Sequence, residues 1–147
     1  MSSASSYVDL SISIGKIFLK NPVMLASGTA GFGFEFAEIF DISQIGGIAT
    51  KTITSEPREG NPPPRIFETP SGMINSIGLA NPGIDKFMEE VAPRLKNLPT
   101  RIILSVGGTS IDDFKYIVET VSEISSVDAI ELNLSCPNVK EGGIHFG

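Results

Sequence analysis

The 147-residue sequence contains one cysteine (Cys136), one histidine (His145) and no tryptophan. A lone cysteine excludes an intrachain disulfide, and with a single histidine it cannot assemble a thiolate or imidazole metal centre, so no metal site is expected and any special role of Cys136 is chemical. Long apolar runs are missing too. The longest are a few residues, against the roughly 20 needed to cross a bilayer. The N-terminus, Met1-Ser-Ser-Ala-Ser-Ser, has neither the charged nor the apolar part of a signal peptide, so the expectation is a cytoplasmic protein with no membrane partner. Positive charge is also scarce: 11 Lys and Arg, scattered singly, face 17 Asp and Glu for a net charge of −6. No basic stripe exists to follow a phosphate backbone, and nucleic acid is not an expected partner.

What is present is the balance of a globular domain, 41% hydrophobic and 19% charged residues, enough for one core rather than two. Val8, Leu10, Ile12 and Ile14 alternate with polar residues. Gly15-Lys16 offers a turn and Ile17 and Leu19 resume the alternation, which predicts an N-terminal β-hairpin. Val23 to Ala26 reads as a buried strand opening into a glycine-rich loop, Glu35 to Ser43 as a short helix, and Ile45 to Ile53 as a second strand. The proline-dense stretch from Glu56 to Pro70 reads as a loop. A helix is predicted from Pro82 to about Asn97, with Asn81 as its N-cap and Pro93 bending or shortening it. Arg101 to Val106 reads as a third strand, Ser110 caps a helix with Phe114, Ile117, Val118, Val121 and Ile124 on one face, and Ala129 to Leu134 reads as a fourth strand.

Apolar strands alternating with amphipathic helices predict an α/β fold with a parallel sheet covered by helices. A (β/α)8 barrel and an open doubly wound sheet both place chemistry on the loops after the strands, where Ser27-Gly28, Lys51-Thr52, Ser105 and Asn133 to Asn138 fall. Gly28-x-x-Gly31-x-Gly33 lacks the spacing of the dinucleotide fingerprint, which favours the barrel. A complete barrel takes about 250 residues, so the expectation is roughly the first four strands of one.

Glu131, Asn133 and Ser135 share one strand face, and polar groups at a barrel mouth point to a site; an N-cap and turn with Cys136 as a small buried hydrophobe is the competing reading. Lys51 ends an apolar strand and either reaches solvent or pairs with an anion. The loop Gly72 to Asn81 mixes amide, hydroxyl and small residues and forms either a ligand wall or an ordinary turn. Ser27-Gly28-Thr29 offers backbone N–H groups to a ligand or is only a loop.

Five stretches together resemble one family: Asn21-Pro-Val-Met-x-Ala-Ser-Gly-Thr29, Lys51-Thr-Ile-Thr54, Glu56-Pro-Arg-x-Gly-Asn-Pro-Pro-Pro-Arg65, Gly72-Met-Ile-Asn-Ser-Ile-Gly-Leu-x-Asn-Pro-Gly83 and Asn133-Leu-Ser-Cys-Pro-Asn-Val-Lys140. In this order and at these separations they look like the catalytic chain of class 1 dihydroorotate dehydrogenases. The resemblance implies that residues 1–147 are the N-terminal part of one FMN-binding TIM-barrel domain. It implies oxidation of dihydroorotate to orotate in pyrimidine biosynthesis, with Cys136 as the base. Lys51, Asn75, Ser76, Ile77, Gly78, Leu79, Asn133 and Asn138 then contact substrate, and Ser27, Lys51, Thr52, Ser105 and Asn133 contact FMN. The membrane-linked class carries serine where Cys136 stands, so the resemblance is to the soluble class. Gly60 to Arg65 looks more like the NAD-linked branch, which implies a homodimer of catalytic chains or a heterotetramer with an electron-transfer subunit carrying FAD and a 2Fe–2S cluster. The family usually has Asn where Ser105 stands and often an aromatic at Ala30. A dihydropyrimidine dehydrogenase type of flavin barrel is the alternative enzyme, though its proline-loop motif differs. A silent fragment acting in folding or assembly is the alternative from another class.

Overall fold

A computed structural model of the chain describes residues 8–134. Its centre is a parallel sheet of β3 (Met24–Leu25), β4 (Gly47–Ala49), β7 (Arg101–Val106) and β8 (Ala129–Leu132), in that spatial order. The order follows the chain without reversal, whereas a doubly wound sheet starts from an inner strand and reverses, so that alternative is excluded. Ile102, Leu104 and Val106 of β7 join one hydrophobic core with Phe87, Val91 and Leu95, and with Ile117 and Val121 of α4 (Ile111–Val121). The helices therefore cover one face of the sheet. The opposite face carries Ile103 and Ser105 of β7, in register with Ala129 and Glu131 of β8.

The N-terminal hairpin pairs β1 (Ile12–Ile14) with β2 (Ile17–Leu19) across Gly15-Lys16, with Gly15 at φ 59°. Leu19 is buried, and Arg101 Nε donates to the Phe18 carbonyl at 3.0 Å, pinning the hairpin to the start of β7. In α4, the Ser110 hydroxyl accepts from the Asp113 N–H at 3.1 Å, the cap read from the sequence.

Four expectations are corrected. The helix expected over Glu35 to Ser43 is one turn, α1 (Phe34–Ala37), followed by a 3-10 turn Ile42–Gln44, because the Asp41 carboxylate accepts from the Ser43 N–H and starts a new turn. The proline stretch is not all loop. β5 (Ile66–Thr69) pairs antiparallel with β6 (Gly72–Asn75) around Pro70-Ser71. The next helix starts at Ile84 rather than Pro82, its N-cap is Gly83, and the Asn81 side chain caps no helix. It runs as α2 (Ile84–Lys86), a π-helical segment Phe87–Val91 and α3 (Ala92–Leu95). Pro93 lacks the N–H that a regular turn needs and its ring crowds the turn before it, and the wide segment lies on that N-terminal side.

The fourth correction is the strand expected over Ile45 to Ile53, which is regular only for Gly47–Ala49. Ala49 is in register with Ile103, yet Ile53 bridges Val106, so four steps on one chain match three on the other. This is a β-bulge. Without the extra residue Thr52 would oppose Val106 and face the helices; with it, Thr52 comes opposite Ser105 on the other face. The ladder position left empty is filled by a side chain, since the Ser105 N–H donates to the Thr50 hydroxyl at 3.2 Å. The Lys51 N–H leaves the ladder and donates to the Gly31 carbonyl at 2.7 Å.

Candidate active site

The bulge gathers one polar residue from the C-terminal end of each of four neighbouring strands. Thr52 Oγ1 lies 2.9 Å from Ser105 Oγ and 3.4 Å from Ser27 Oγ, and accepts from Asn133 Nδ2 at 3.1 Å. Ser27 commits its proton to the Thr50 carbonyl at 2.7 Å. Thr52 is thus the hub of a hydroxyl network, buried with Ser105 beneath the sheet's C-terminal rim.

Above this hub lies a cavity of about 870 Å³. Its floor is made by Ala26, Ser27, Gly28, Lys51, Thr52, Glu131 and Asn133, and its far wall by Ile66 and Met73 of the β5–β6 hairpin with Asn75 and Ile77 to Ala80. In the hairpin Ile66 and Asn75 are opposite each other and share a face with Met73, so that face lines the cavity while Phe67 and Ile74 point the other way. A second cavity of about 390 Å³, around Phe18, Ile45 and Arg101, sits at the opposite end of the sheet, away from every residue with a candidate chemical role.

Four polar groups on the lining are unspent. Asn133 donates through Nδ2, and its Oδ1 has no partner among the described residues. The Asn75 side chain, the Lys51 ammonium and the Glu131 carboxylate likewise carry no hydrogen bond or ion pair among the described residues. Gly28, at φ 85°, has open space where a Cβ would stand, so the backbone itself meets whatever fills the cavity. Neutral donors and acceptors, the Lys51 cation, the exposed Glu131 carboxylate at the β8 edge and apolar walls line the cavity; the amides and the cation suit a flat, amide-bearing ring with an anionic substituent.

The wall Asn75 to Leu79 is held from behind. Asn61 Nδ2 donates to Ser76 Oγ at 2.6 Å and to the Ser76 carbonyl at 3.3 Å; its N–H donates to the Ile77 carbonyl at 3.0 Å. Arg65 in turn holds the proline loop, with Nε on the Asn61 carbonyl at 2.6 Å and a terminal nitrogen on the Glu59 carbonyl at 2.7 Å. A Cβ on Gly60 would meet the Ile77 carbonyl, and one on Gly78 would meet the Asn61 N–H at 2.6 Å, so both glycines permit the close packing. These hydrogen bonds fasten the wall to the proline loop.

Of the expected contact residues, Ser27, Lys51, Thr52, Asn75, Ile77, Gly78, Leu79 and Asn133 line the cavity. Two do not. Ser105 is fully buried under Thr52, and Ser76 turns its hydroxyl to Asn61. Cys136 and Asn138 lie outside the described residues. Residues that sequence reasoning missed are the supports: Asn61, Arg65 and Asn81. Asn-Pro before an apolar periodicity imitates a helix start, which hides the role of Asn81, and the partners of Asn61 and Arg65 lie on segments that only the fold brings together.

Comparison with known proteins gives three findings. The family model described as dihydroorotate dehydrogenase matches residues 9–147. The catalytic subunit of dihydroorotate dehydrogenase B (NAD(+)) from Bacteroides thetaiotaomicron is 52% identical over 139 residues, and that from Carboxydothermus hydrogenoformans is 51% identical over 140. Each match covers 95% of this chain and 46% of the relative, so the chain spans just under half of their length. Among solved structures, a DHODH from Eimeria tenella in complex with ferulenol superposes with a TM-score of 0.70 at 25% identity, over 95% of this chain and 40% of that one.

Proposed function

Because the chain belongs to the dihydroorotate dehydrogenase family, we propose that residues 1–147 are the N-terminal part of a single FMN-binding (β/α)8 barrel that oxidises (S)-dihydroorotate to orotate in pyrimidine biosynthesis. The observation that carries this reading is the cavity at the C-terminal rim of a parallel sheet in chain order, where Lys51, Asn75 and Asn133 turn unspent polar groups inward. Barrels place their chemistry at this rim.

The residues present fit FMN. Ser27, Thr52, Lys51 and Asn133 would hold its ring, with Ser105 supporting Thr52 from below rather than touching the flavin. When bound, the flavin supplies the two-electron acceptor for the hydride that leaves C6 of dihydroorotate. Asn75, Asn133 and Asn138 bind the pyrimidine amides and carboxylate, Lys51 offsets negative charge, and Ile77, Gly78 and Leu79 close the side opposite Thr52, with Ser76 fastening them to the proline loop. Cys136 removes the C5 proton. A thiol with an ordinary pKa near 8.5 is only a few per cent thiolate at neutral pH, yet it ionises far more readily than a hydroxyl, which suits a base.

The named relatives are NAD(+)-linked catalytic subunits. We take the electrons to pass to NAD through a partner subunit carrying FAD and a 2Fe–2S cluster, in a heterotetramer built on a homodimer of catalytic chains. The one cysteine in residues 1–147 cannot by itself hold such a cluster. The test is anaerobic mixing of dihydroorotate with the full-length, FMN-loaded protein. Bleaching of the flavin absorbance with formation of one orotate per flavin is expected. Cys136→Ser should slow bleaching by at least about 100-fold near neutral pH, with FMN retained. Unchanged bleaching in the variant would remove Cys136 as base; no bleaching in the wild type would overturn the activity.

A further inference from the structure

Asn81 is 7% exposed, and its amide is saturated. Oδ1 accepts from the Thr54 N–H at 3.2 Å and the Gly83 N–H at 2.9 Å; Nδ2 donates to Thr54 Oγ1 at 2.8 Å and to the Leu79 carbonyl at 2.8 Å. Its backbone exchanges two further hydrogen bonds with Arg58. One side chain thereby ties together the segment that follows the bulge, the cavity wall and the residue that opens the helix. Asn81 itself does not line the cavity.

Leu79 does line it, and among the described residues it is the one non-glycine residue with a positive φ, 54°. A γ-branched L-residue rarely adopts this left-handed conformation, and it persists where the surroundings over-determine it. The Leu79 carbonyl is held by Asn81 Nδ2, and the preceding residue, Gly78, also at positive φ (74°), packs against Asn61. We infer that Asn81 is a positioning residue for the substrate side of the cavity: its hydrogen bond to the Leu79 carbonyl keeps Leu79 left-handed and its side chain facing the ring-binding floor. The inference rests on the cavity being the dihydroorotate site.

Aspartate removes both Nδ2 donations, to the Leu79 carbonyl and to Thr54 Oγ1. It keeps two acceptors for the Thr54 and Gly83 N–H groups, but it brings no donor to the Leu79 carbonyl, which has no other described partner. Thr54→Val is the control, since it removes the other Nδ2 partner and leaves the Leu79 bond in place.

In the full-length, FMN-loaded protein, Asn81→Asp should raise the KM for dihydroorotate and the Kd of orotate about tenfold, with kcat within about twofold, the orotate Kd being read from the perturbed flavin absorbance. Amide hydrogen exchange should quicken at residues 76–80 and stay unchanged in α4. Thr54→Val should leave KM within about twofold of wild type. Asn81→Ser, neutral and small, reads the same quantities if a buried carboxylate prevents folding. The assignment is overturned if KM and Kd do not move, if Thr54→Val raises KM equally, or if kcat falls in step with flavin loss. It is also overturned if both Asn81 variants lose FMN while Thr54→Val keeps it. A wild-type protein that neither binds orotate nor oxidises dihydroorotate sinks the functional reading instead; hydrogen exchange still reports on the Asn81–Leu79 link.

Discussion

At the scale of residues, the difference between a side chain that touches the cavity and one that supports it is a matter of how many partners each satisfies. Thr52 holds Ser27, Ser105 and Asn133 at once, whereas the Ser105 hydroxyl, among the described residues, meets only Thr52. Thr52→Val keeps the shape but takes the partner from the buried Ser105 hydroxyl and the acceptor from Asn133 Nδ2, at about 1–3 kcal/mol for a buried polar group left unpaired, while Ser27 keeps the Thr50 carbonyl. Ser105→Ala removes both the orphan and its atom, and should cost about 1 kcal/mol. Urea unfolding of the flavin-free full-length protein should therefore rank Thr52→Val well below Ser105→Ala. Equal losses would mean that Thr52 is not the hub. By the same measure, the ion pairs Lys86–Glu90 and Lys115–Glu119, exposed at i,i+4 spacing, contribute only about 0.3–0.5 kcal/mol each. The polar residues gathered around Thr52 at the rim, Ser27, Ser105 and Asn133, are uncharged. Their types were legible in the sequence as site candidates, but their division into wall and support was not, because it depends on which strand face each occupies.

At the scale of elements, legibility followed the source of each element's stability. β7 and the start of α4 were readable because burial of alternate apolar residues and a Ser110 cap are local facts; the structure keeps the bounds of β7 and the Ser110 start of α4, while α4 ends at Val121, short of the expected Ile124. The hairpin β5–β6 was not: it carries apolar residues on both faces, with Phe67 and Ile74 exposed on one and Ile66 and Met73 on the cavity side, so no alternation marks it. The bulge between Ala49 and Ile53 exists only as a pairing with β7 and leaves no trace in one strand's sequence. A further tie between elements, also unread, joins the N-terminus of α4 to the segment beyond the bulge. The Asp113 carboxylate accepts from Ser55 Oγ at 2.6 Å, from the Thr109 N–H at 3.0 Å and from the Thr109 hydroxyl at 2.9 Å. Partial burial pushes this carboxyl up, but those hydrogen bonds outweigh it and hold Asp113 below the ordinary carboxylate range. A group whose folded pKa is depressed contributes stability above its unfolded pKa, and that contribution is lost as pH falls through the folded pKa. Wild type should thus exceed Asp113→Asn by about 1 kcal/mol at neutral pH, since a charge-assisted acceptor is replaced by a neutral one. The gap should close on acidification below about pH 4. Denaturation midpoints followed from neutral to acid pH check this, and a gap that widens in acid would contradict it.

At the scale of the whole molecule, the sheet has two outer strands, β3 and β8, and neither pairs on its outer side among the described residues. Leu132 and Leu134, at the β8 end, are 49% and 39% exposed, and Leu132 lines the cavity. The network around Thr52 therefore stands at the rim of an open sheet, with Lys51, Glu131 and Asn133 at the border of a surface that further strands would cover. In barrels of this kind phosphate groups bind after the seventh and eighth strands, and the chain spans 46% of the relatives it matches. On the proposed function, residues 1–147 by themselves would hold the ring-side and substrate-side contacts without a clamp for the flavin phosphate, and the described residues present open edges of the sort that recruit other strands. The expected behaviour of residues 1–147 expressed alone is self-association and sub-stoichiometric flavin. Gel filtration coupled to flavin absorbance decides it: a yellow monomer with one FMN per chain would show that half the cradle suffices, and would move the dominant binding contacts onto the rim built by Ser27, Lys51, Thr52 and Asn133. Restoring the second half in trans should close both edges at once, so flavin uptake and the loss of the self-associated form should rise together with the concentration of the added segment. Uptake without any change in association would mean that the edges and the cofactor site are independent.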